Sequence, residues 1–458
     1  MQNGYSGKIL KIDLSTGRFI TETHDMSFYR RYFGGRTLAA YYLLKEQKSN
    51  IDPLAPENTL VFATSIGVGA VVPGLSRYIV AAKSPLTNGF GETEAGGYWG
   101  PELKRTGFDA IVITGKAERP SYLWIKEGSC ELHDAEHLWG MKTKDVELLI
   151  RQELGDERIR VAQTGPAGEN LVRYACVVND LTHVNGRSGM GAVMGSKNLR
   201  AIALRGTREI TLHDPEKVKE IARWFGRHFR ENPSNLNLHK WGTTMGLGVK
   251  NEAGELPTRN FQTGILPNAE QLYGEYIAES IYVRSKGCFA CPVACKRHVE
   301  DTSPYEVDAS YGCPEYETLG AFGGVCAVTS LNAVAKANEL CNAYTLDTIS
   351  TGATIAFAME CFEEGLLSKE DTNGIDLAFG NGNALIELIE KITHRDGIGD
   401  LLAEGALKAA QKIGKDSERF VMHVKGKELA FHDPRVKYDL ALQYALSPSG
   451  ADHVQADH

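Results

Sequence analysis

The chain has 458 residues, of which 42% are apolar and 24% charged, enough core-forming material for two to three globular domains, since single cores stop growing near about 250–300 residues. Its formal charge of -8, from 58 acidic against 50 Lys and Arg residues, leaves no basic face for a phosphate backbone and excludes nucleic acid as a partner. The opening Met1-Gln2-Asn3-Gly4 does not read as a secretory leader, having no basic flank followed by an apolar run, and no apolar run approaches the roughly 18 residues a membrane span needs. A cytoplasmic protein is expected. Nine cysteines, an odd number in a long chain, fit reduced thiols and a metal site better than a disulfide framework.

In chain order, residues 8–23 read as a hairpin, with an alternating Lys8–Leu14 run, a Ser15-Thr16-Gly17 turn and a returning Arg18–Thr21 strand. Short strands follow at 60–63, 78–82, 110–114, 122–125 and 201–204, separated by glycine-rich connections. The class is α+β, with a β-rich domain over 1–208. Asp214-Pro215 then pairs an N-cap residue with proline at the first helical position. Helical spacing recurs at 331–344, 351–364, 384–394 and 398–413, with Gly365 and Gly414 as stops. A mainly helical domain is therefore placed at 209–418, and 419–458 begins a third, truncated helical domain.

The densest chemistry lies at Cys288-Phe289-Ala290-Cys291-Pro292-Val293-Ala294-Cys295. Three thiols two and three residues apart can be aimed by one turn at one small object, and soft thiolates select zinc, copper(I) or iron–sulfur. Structural zinc sites usually come as paired couples, and no second couple is present, so iron–sulfur is favoured. The order C-x2-C-x3-C is the reverse of the radical-SAM signature. A cubane needs a fourth ligand, for which Cys313 is the first candidate within the chain.

Glycine-dense stretches stand at Phe33-Gly34-Gly35-Arg36, at Gly67-Val68-Gly69, at 96–104 and at 185–198. Glycine lets backbone amides approach a phosphate or flat ring, yet none of these is a P-loop or a dinucleotide fingerprint, and each taken alone is better read as a tight turn in a β-rich domain. Taken in order, the G-G-R at 34–36, G-G-Y-W-G-P-E-L-K at 96–104, G-R-S-G-M-G-A-V-M-G-S-K-N-L-R-A at 186–201, the cysteine run and P-E-Y-E-T at 314–318 resemble the aldehyde ferredoxin oxidoreductase family over essentially the whole chain.

The resemblance implies tungsten, or molybdenum, held by the dithiolenes of two pyranopterins, with magnesium bridging the pterin phosphates and a [4Fe-4S] cluster beside one pterin. Cys288, Cys291 and Cys295 would ligate the cluster, and Arg77 would stand between cluster and pterin. Ala95, Gly96, Gly97, Arg187, Gly189 and Gly191 would line the pterin cradle. A D-x-x-G-L-D pterin motif maps onto Asn342–Asp347, where only Leu346 and Asp347 match, so Asp347 serves either a pterin ring or the N-cap of the following helix. For aldehyde oxidation a carboxylate and a histidine are needed; Glu315 and Glu317 are the candidates for the base, with Glu315 preferred, and His453 matches the family's active-site histidine.

A small aldehyde would be the substrate and ferredoxin the acceptor, docking on a basic patch that includes Lys296 and Arg297. Family members continue beyond the segment like 433–453, with a second pterin motif and the fourth cysteine, whereas this sequence ends at His458. A homo-oligomer or a separate C-terminal polypeptide is expected. The competing readings are a tungsten-dependent aryl-CoA reductase subunit of the benzoyl-CoA type and an inactive structural remnant lacking a complete cofactor site.

Overall fold

A computed structural model describes residues 3–454. Two compact units emerge: one comprises residues up to Leu171, Ala175–Leu236 and Gly287–Ala294, and the other Val172–Tyr174, Asn237–Lys286 and Cys295 onward.

The first unit contains two six-stranded sheets. Strands β1 (Lys8–Asp13), β2 (Arg18–Thr23), β3 (Leu60–Thr64), β4 (Tyr78–Lys83), β5 (Phe90–Ala95) and β6 (Ala110–Thr114) form the first, in the order β2-β1-β6-β3-β4-β5. Strands β7 (Ser121–Lys126), β8 (Ser129–Asp134), β9 (Arg160–Gln163), β10 (Val177–Asn179), β11 (His183–Asn185) and β12 (Leu199–Arg205) form the second, in the order β11-β10-β9-β12-β7-β8. The strand period of two explains the layering. Leu10, Ile12, Ile111 and Ile113 share one core with Leu123, Ile125, Ile202 and Leu204. The alternate residues Ile9, Ala110 and Val112 pack on Leu38 and Tyr42 of the Gly35–Glu46 helix, while Tyr122, Ala201 and Ala203 pack on Val146 and Ile150 of the Thr143–Leu154 helix. The inner strands such as β3, β6 and β12 are thus covered on both faces, as their nearly uniform apolar character requires.

The second unit is helical, with two short two-stranded ribbons. Its Thr348–Glu363 helix is buried at every position from Ile349 to Cys361. Three expected helices appear at Leu331–Tyr344, Thr348–Glu363 and Gly382–His394, whereas the 398–413 segment divides into Ile398–Leu402 and Ala406–Ile413 around Gly405, whose φ of 87° interrupts the helix. The α+β class with β-structure first and helices after is what the sequence led one to expect. The compact units part after Leu236, with the short segments 172–174 and 287–294 each assigned to the other unit than their neighbours. The turn 287–294 folds onto the first unit through Phe289 N–H, which donates to Gly97 O at 3.2 Å. Residues from 419 pack inside the second, where Tyr316 OH donates to Phe431 O at 2.9 Å. Among the described residues no helix is long and apolar enough to cross a membrane.

Candidate functional sites in the two units

In the first unit the edge strands β5 and β11 are tied together: Asn185 Nδ2 donates to Thr93 O (3.3 Å), Arg187 N to Thr93 Oγ1 (3.3 Å) and Ser188 Oγ to Glu92 O (3.2 Å). The chain leaves β5 through Ala95-Gly96-Gly97. Gly97 takes a φ of 95°, and a Cβ there would lie 2.5 Å from Asn179 Oδ1; one on Gly96 would lie 2.8 Å from Cys288 Sγ. The backbone therefore lies flush against the cysteine turn because nothing projects from it. Cys288 Sγ also sits 3.4 Å from His183 Nε2, and Cys291 N–H donates to Cys288 O at 3.1 Å. Ala290 and Ala294, each preceding a cysteine, are left-handed (φ 56° and 48°), a conformation costing roughly 1–2 kcal/mol without glycine and characteristic of sites that must aim a side chain.

Aromatic and cationic groups brace this turn. Phe289 meets Tyr98 edge to face at 6.3 Å, Arg105 lies over Phe289 and Arg160 over Tyr98. Arg36 and Arg77 pair with Glu92 and Glu94, both at 2.6 Å, two residues apart on one face of β5. The donor set suits the implied groups. Half-buried thiols beside a side-chain-free backbone fit an iron–sulfur cluster. Asn179 Oδ1 and Asn185 Oδ1, buried without hydrogen-bond partners, are acceptors of the kind a pterin ring's N–H groups require.

In the second unit four side chains from distant segments converge. Glu317 Oε1 lies 3.1 Å from His432 Nε2 and 3.7 Å from His453 Nε2, and Glu317 Oε2 accepts the Phe431 amide at 2.9 Å. Local packing explains the convergence. A Cβ on Gly320 would strike Phe431 Cβ at 2.5 Å, so glycine there admits Phe431 and brings His432 beside Glu317. His453 follows Asp452, whose carboxylate forms a buried pair with Lys427 Nζ at 2.7 Å. Burial alone would raise the Glu317 carboxyl, but the positive ends of His453 and His432 and the Phe431 amide outweigh it and bring it down to about 2. The ligand atoms of Glu317, His432 and His453 lie within 4.8 Å of one another, a spacing that suits a cation. Lys250 Nζ, 2.9 Å behind His432, makes a bound cation unfavourable, and the arrangement serves proton and hydrogen-bond chemistry better.

The structure separates the two candidate carboxylates. Glu315 pairs with Lys296 at 2.9 Å and its side chain is 41% exposed, so the preference for Glu315 gives way to Glu317, which faces His453. Arg77 is exposed and ion-paired; Arg187 is buried. Gly189 turns the chain at a φ of 75°. Gly191 belongs to the interior rather than to an open cradle, because a Cβ there would meet Cys176 O at 2.2 Å. Leu346 is likewise a core residue with its amide bonded to Cys341 O. Asp347 caps the Thr348–Glu363 helix, accepting from Ile349 N at 3.0 Å, and Thr345, where the motif carries glycine, holds the left-handed φ of 66°. Arg297 cannot join a surface patch: it is buried, its guanidinium over the Tyr282 ring at 4.2 Å, while Lys296 is spent on Glu315. Cys313 is buried, and desolvation pushes its thiol up to about 12. Lys250, Tyr316, His432 and His183 were not singled out in the sequence, where each is one ordinary residue with no recurring spacing.

A cysteine turn beside a glycine-rich backbone in one unit, and an ionised carboxylate beside two imidazoles in the other, are features that suit an oxidoreductase with a metal cofactor. Residues 9–206 match the N-terminal domain of aldehyde ferredoxin oxidoreductase and residues 220–458 match its domains 2 and 3. The chain belongs to the aldehyde ferredoxin oxidoreductase family. It is 41% identical over 99% of its length to a tungsten-containing aldehyde ferredoxin oxidoreductase of Pyrococcus horikoshii, spanning 74% of that protein. It is 33% identical over 98% of its length to the WOR-like subunit of an aliphatic sulfonate oxidoreductase of Pyrococcus furiosus, spanning 75% of it. Among solved structures it superposes with a TM-score of 0.82 and 28% identity on the active-site complex BamBC of benzoyl coenzyme A reductase with 1,5-dienoyl-CoA, over 94% of this chain and 66% of that one.

Proposed function

We propose that this protein oxidises a small aldehyde to its carboxylic acid, with water as the oxygen source, and passes the two electrons to ferredoxin. The observation that carries the reading is the 41% identity to a tungsten-containing aldehyde ferredoxin oxidoreductase, which runs across both units rather than one. The reaction balances as aldehyde plus water giving acid, two electrons and two protons. A tungsten or molybdenum bis-pyranopterin, with magnesium beside it, would supply the two-electron acceptor when bound, and a [4Fe-4S] cluster would supply the exit.

The chain's own residues supply the rest. Cys288, Cys291 and Cys295 are the cluster ligands in this reading. Ala95, Gly96, Gly97, Arg187 and Gly189 hold the pterin, with Asn179 and Asn185 as acceptors. Glu317, held as a carboxylate, orients the site and offsets positive charge; an imidazole is the side chain suited to exchange a proton near neutrality, and His453 takes that part and donates to the substrate oxygen.

Anaerobically purified full-length protein, analysed for tungsten and iron and assayed for aldehyde-dependent reduction of a viologen dye, tests the proposal. Turnover dependent on tungsten supports it. The likeness to the benzoyl coenzyme A reductase complex favours a second reading, reduction of a thioester-linked aromatic ring; that activity without aldehyde turnover would replace the first. Metal-free protein inert in both assays would leave the structural remnant.

A further inference from the structure

Behind the carboxylate stands an arrangement that aldehyde chemistry alone does not call for. Lys250, on the Leu247–Glu252 helix, places Nζ 2.9 Å from His432 Nδ1 and 4.6 Å from the centre of the Tyr316 ring. Tyr316 in turn stacks on His432 at 4.7 Å and 25°. Its own backbone amide is held by Thr243 Oγ1 at 3.1 Å and its hydroxyl donates to Phe431 O at 2.9 Å. His432 is therefore confined by a ring on one face, an ammonium at one nitrogen and a carboxylate at the other. An ammonium has three donors and no lone pair. With Lys250 charged, Nδ1 of His432 must accept, so the ring hydrogen lies on Nε2, the nitrogen that stands 3.1 Å from Glu317 Oε1.

We propose that Lys250, Tyr316 and His432 form a positioning relay that locks His432 in its Nε2–H tautomer and thereby holds Glu317 as an oriented carboxylate facing His453. The relay rests on the reading of Glu317 and His453 as the proton-handling pair. In this proposal the three act through Glu317, much as a second partner fixes the tautomer of a catalytic or ligating imidazole elsewhere. The Glu317 carboxyl lies at about 2 despite its burial, His453 being the first of the groups that lower it. Lys250 is itself pulled below its usual range, first by burial and then by Lys437.

The test uses full-length protein labelled with 15N-histidine, the His432 ring signals being assigned by their loss in His432→Gln. The relay requires the Nε2–H form in the wild type and a mixture of tautomers in Lys250→Met. An Nδ1–H wild type, or a Lys250→Met spectrum identical to wild type, overturns it. In turnover, His432→Leu lowers kcat by ~10²-fold with little change in KM, and His432→Gln, whose amide can still donate to Glu317, recovers at least about tenfold of that loss. Adding Lys250→Met to His432→Leu costs nothing further, since the lysine acts only through the histidine. Equal losses in His432→Leu and His432→Gln, or full additivity, refute the relay. Expected tautomers in a wild type that turns over no aldehyde refute the functional reading alone; aldehyde turnover with an unchanged Lys250→Met spectrum refutes the relay alone.

Discussion

The two units build their sites from opposite materials. In the first, what matters is the absence of side chains: Gly96 and Gly97 lie flush against Cys288 and Asn179, and Gly191 and Gly195 let the Met190–Ser196 helix rest directly on the backbone of Cys176 and Gly168. In the second, what matters is side chains from far apart in sequence, Lys250, Glu317, His432 and His453, brought beside one another. A surface that must fit a large rigid cofactor is shaped by removing atoms. A site that manages protons is made by placing charges. The first unit should therefore be broken by adding a methyl group, and the second by neutralising a charge.

The largest effect is expected where backbone meets backbone. A Cβ on Gly191 would lie 2.2 Å from Cys176 O, and one on Gly195 2.0 Å from Gly168 O; neither neighbour is a side chain that can swing away. Gly191→Ala or Gly195→Ala should cost about 3 kcal/mol or more, the upper range of overpacking, seen as loss of soluble protein or a large drop in melting temperature. A well-folded Gly191→Ala protein with unchanged melting would remove the contrast between the units.

Next comes Glu317→Gln, with a pH signature as well as a catalytic one. The folded carboxyl sits at about 2 against an ordinary 4.5, so ionisation is favoured in the native state. That stability is present above about pH 4.5 and is lost as pH falls through 4.5 toward 2, on the order of 3 kcal/mol in full. Denaturant melts of wild type and Glu317→Gln should therefore differ most at neutral pH and converge on acidification. In turnover the same variant should lose between about 10² and 10⁴ in kcat. A stability gap that stays constant from pH 6 to 3 would mean that the carboxylate is not held as its surroundings imply.

The same division explains what could be read in the sequence. The Leu331–Tyr344 helix and strands such as Ala110–Thr114 follow from local periodicity, and the cysteine turn is contiguous, so its chemistry is written in eight residues. Strand β5 escaped notice because Phe90-Gly91-Glu92-Thr93-Glu94-Ala95 lacks strand-like composition; its pairing with β4 and its arginine partners make it a strand. Glu317 and Glu315 are indistinguishable in sequence, both flanking Tyr316. They part only because the chain turns helical at Tyr316, sending one toward Phe431 and the other toward Lys296. Lys250 and His432, 182 residues apart, carry no periodic or motif signal at all.

A smaller and more selective effect is expected at Gly96. Its added Cβ would come 2.8 Å from Cys288 Sγ, a side-chain atom that can rotate away, unlike the backbone facing Gly191. Gly96→Ala should lose no more than about 1 kcal/mol of stability, as for a mild shape change. Moving the Cys288 sulfur would disturb the proposed cluster site, so iron per chain after anaerobic reconstitution should fall below wild type. Full iron content in Gly96→Ala would mean that the flush backbone serves packing alone.

The smallest change is expected at Glu315, and it sharpens the comparison from within one tripeptide. Its carboxylate is 41% exposed and meets only the Lys296 ammonium, at 2.9 Å, and surface pairs of this kind contribute about 0–1 kcal/mol. Water replaces the lost partner, and no buried donor is left unsatisfied when the charge goes. Glu315→Gln should therefore keep its melting temperature and hold kcat within about twofold of wild type, since it removes none of the general acid–base groups that carry factors of 10² or more. Two glutamates two residues apart would then differ by at least about fiftyfold in their effect on turnover. If instead Glu315→Gln is the crippled variant and Glu317→Gln the tolerant one, the proton-handling site has been placed on the wrong side of Tyr316, and the contrast drawn between the units falls with it.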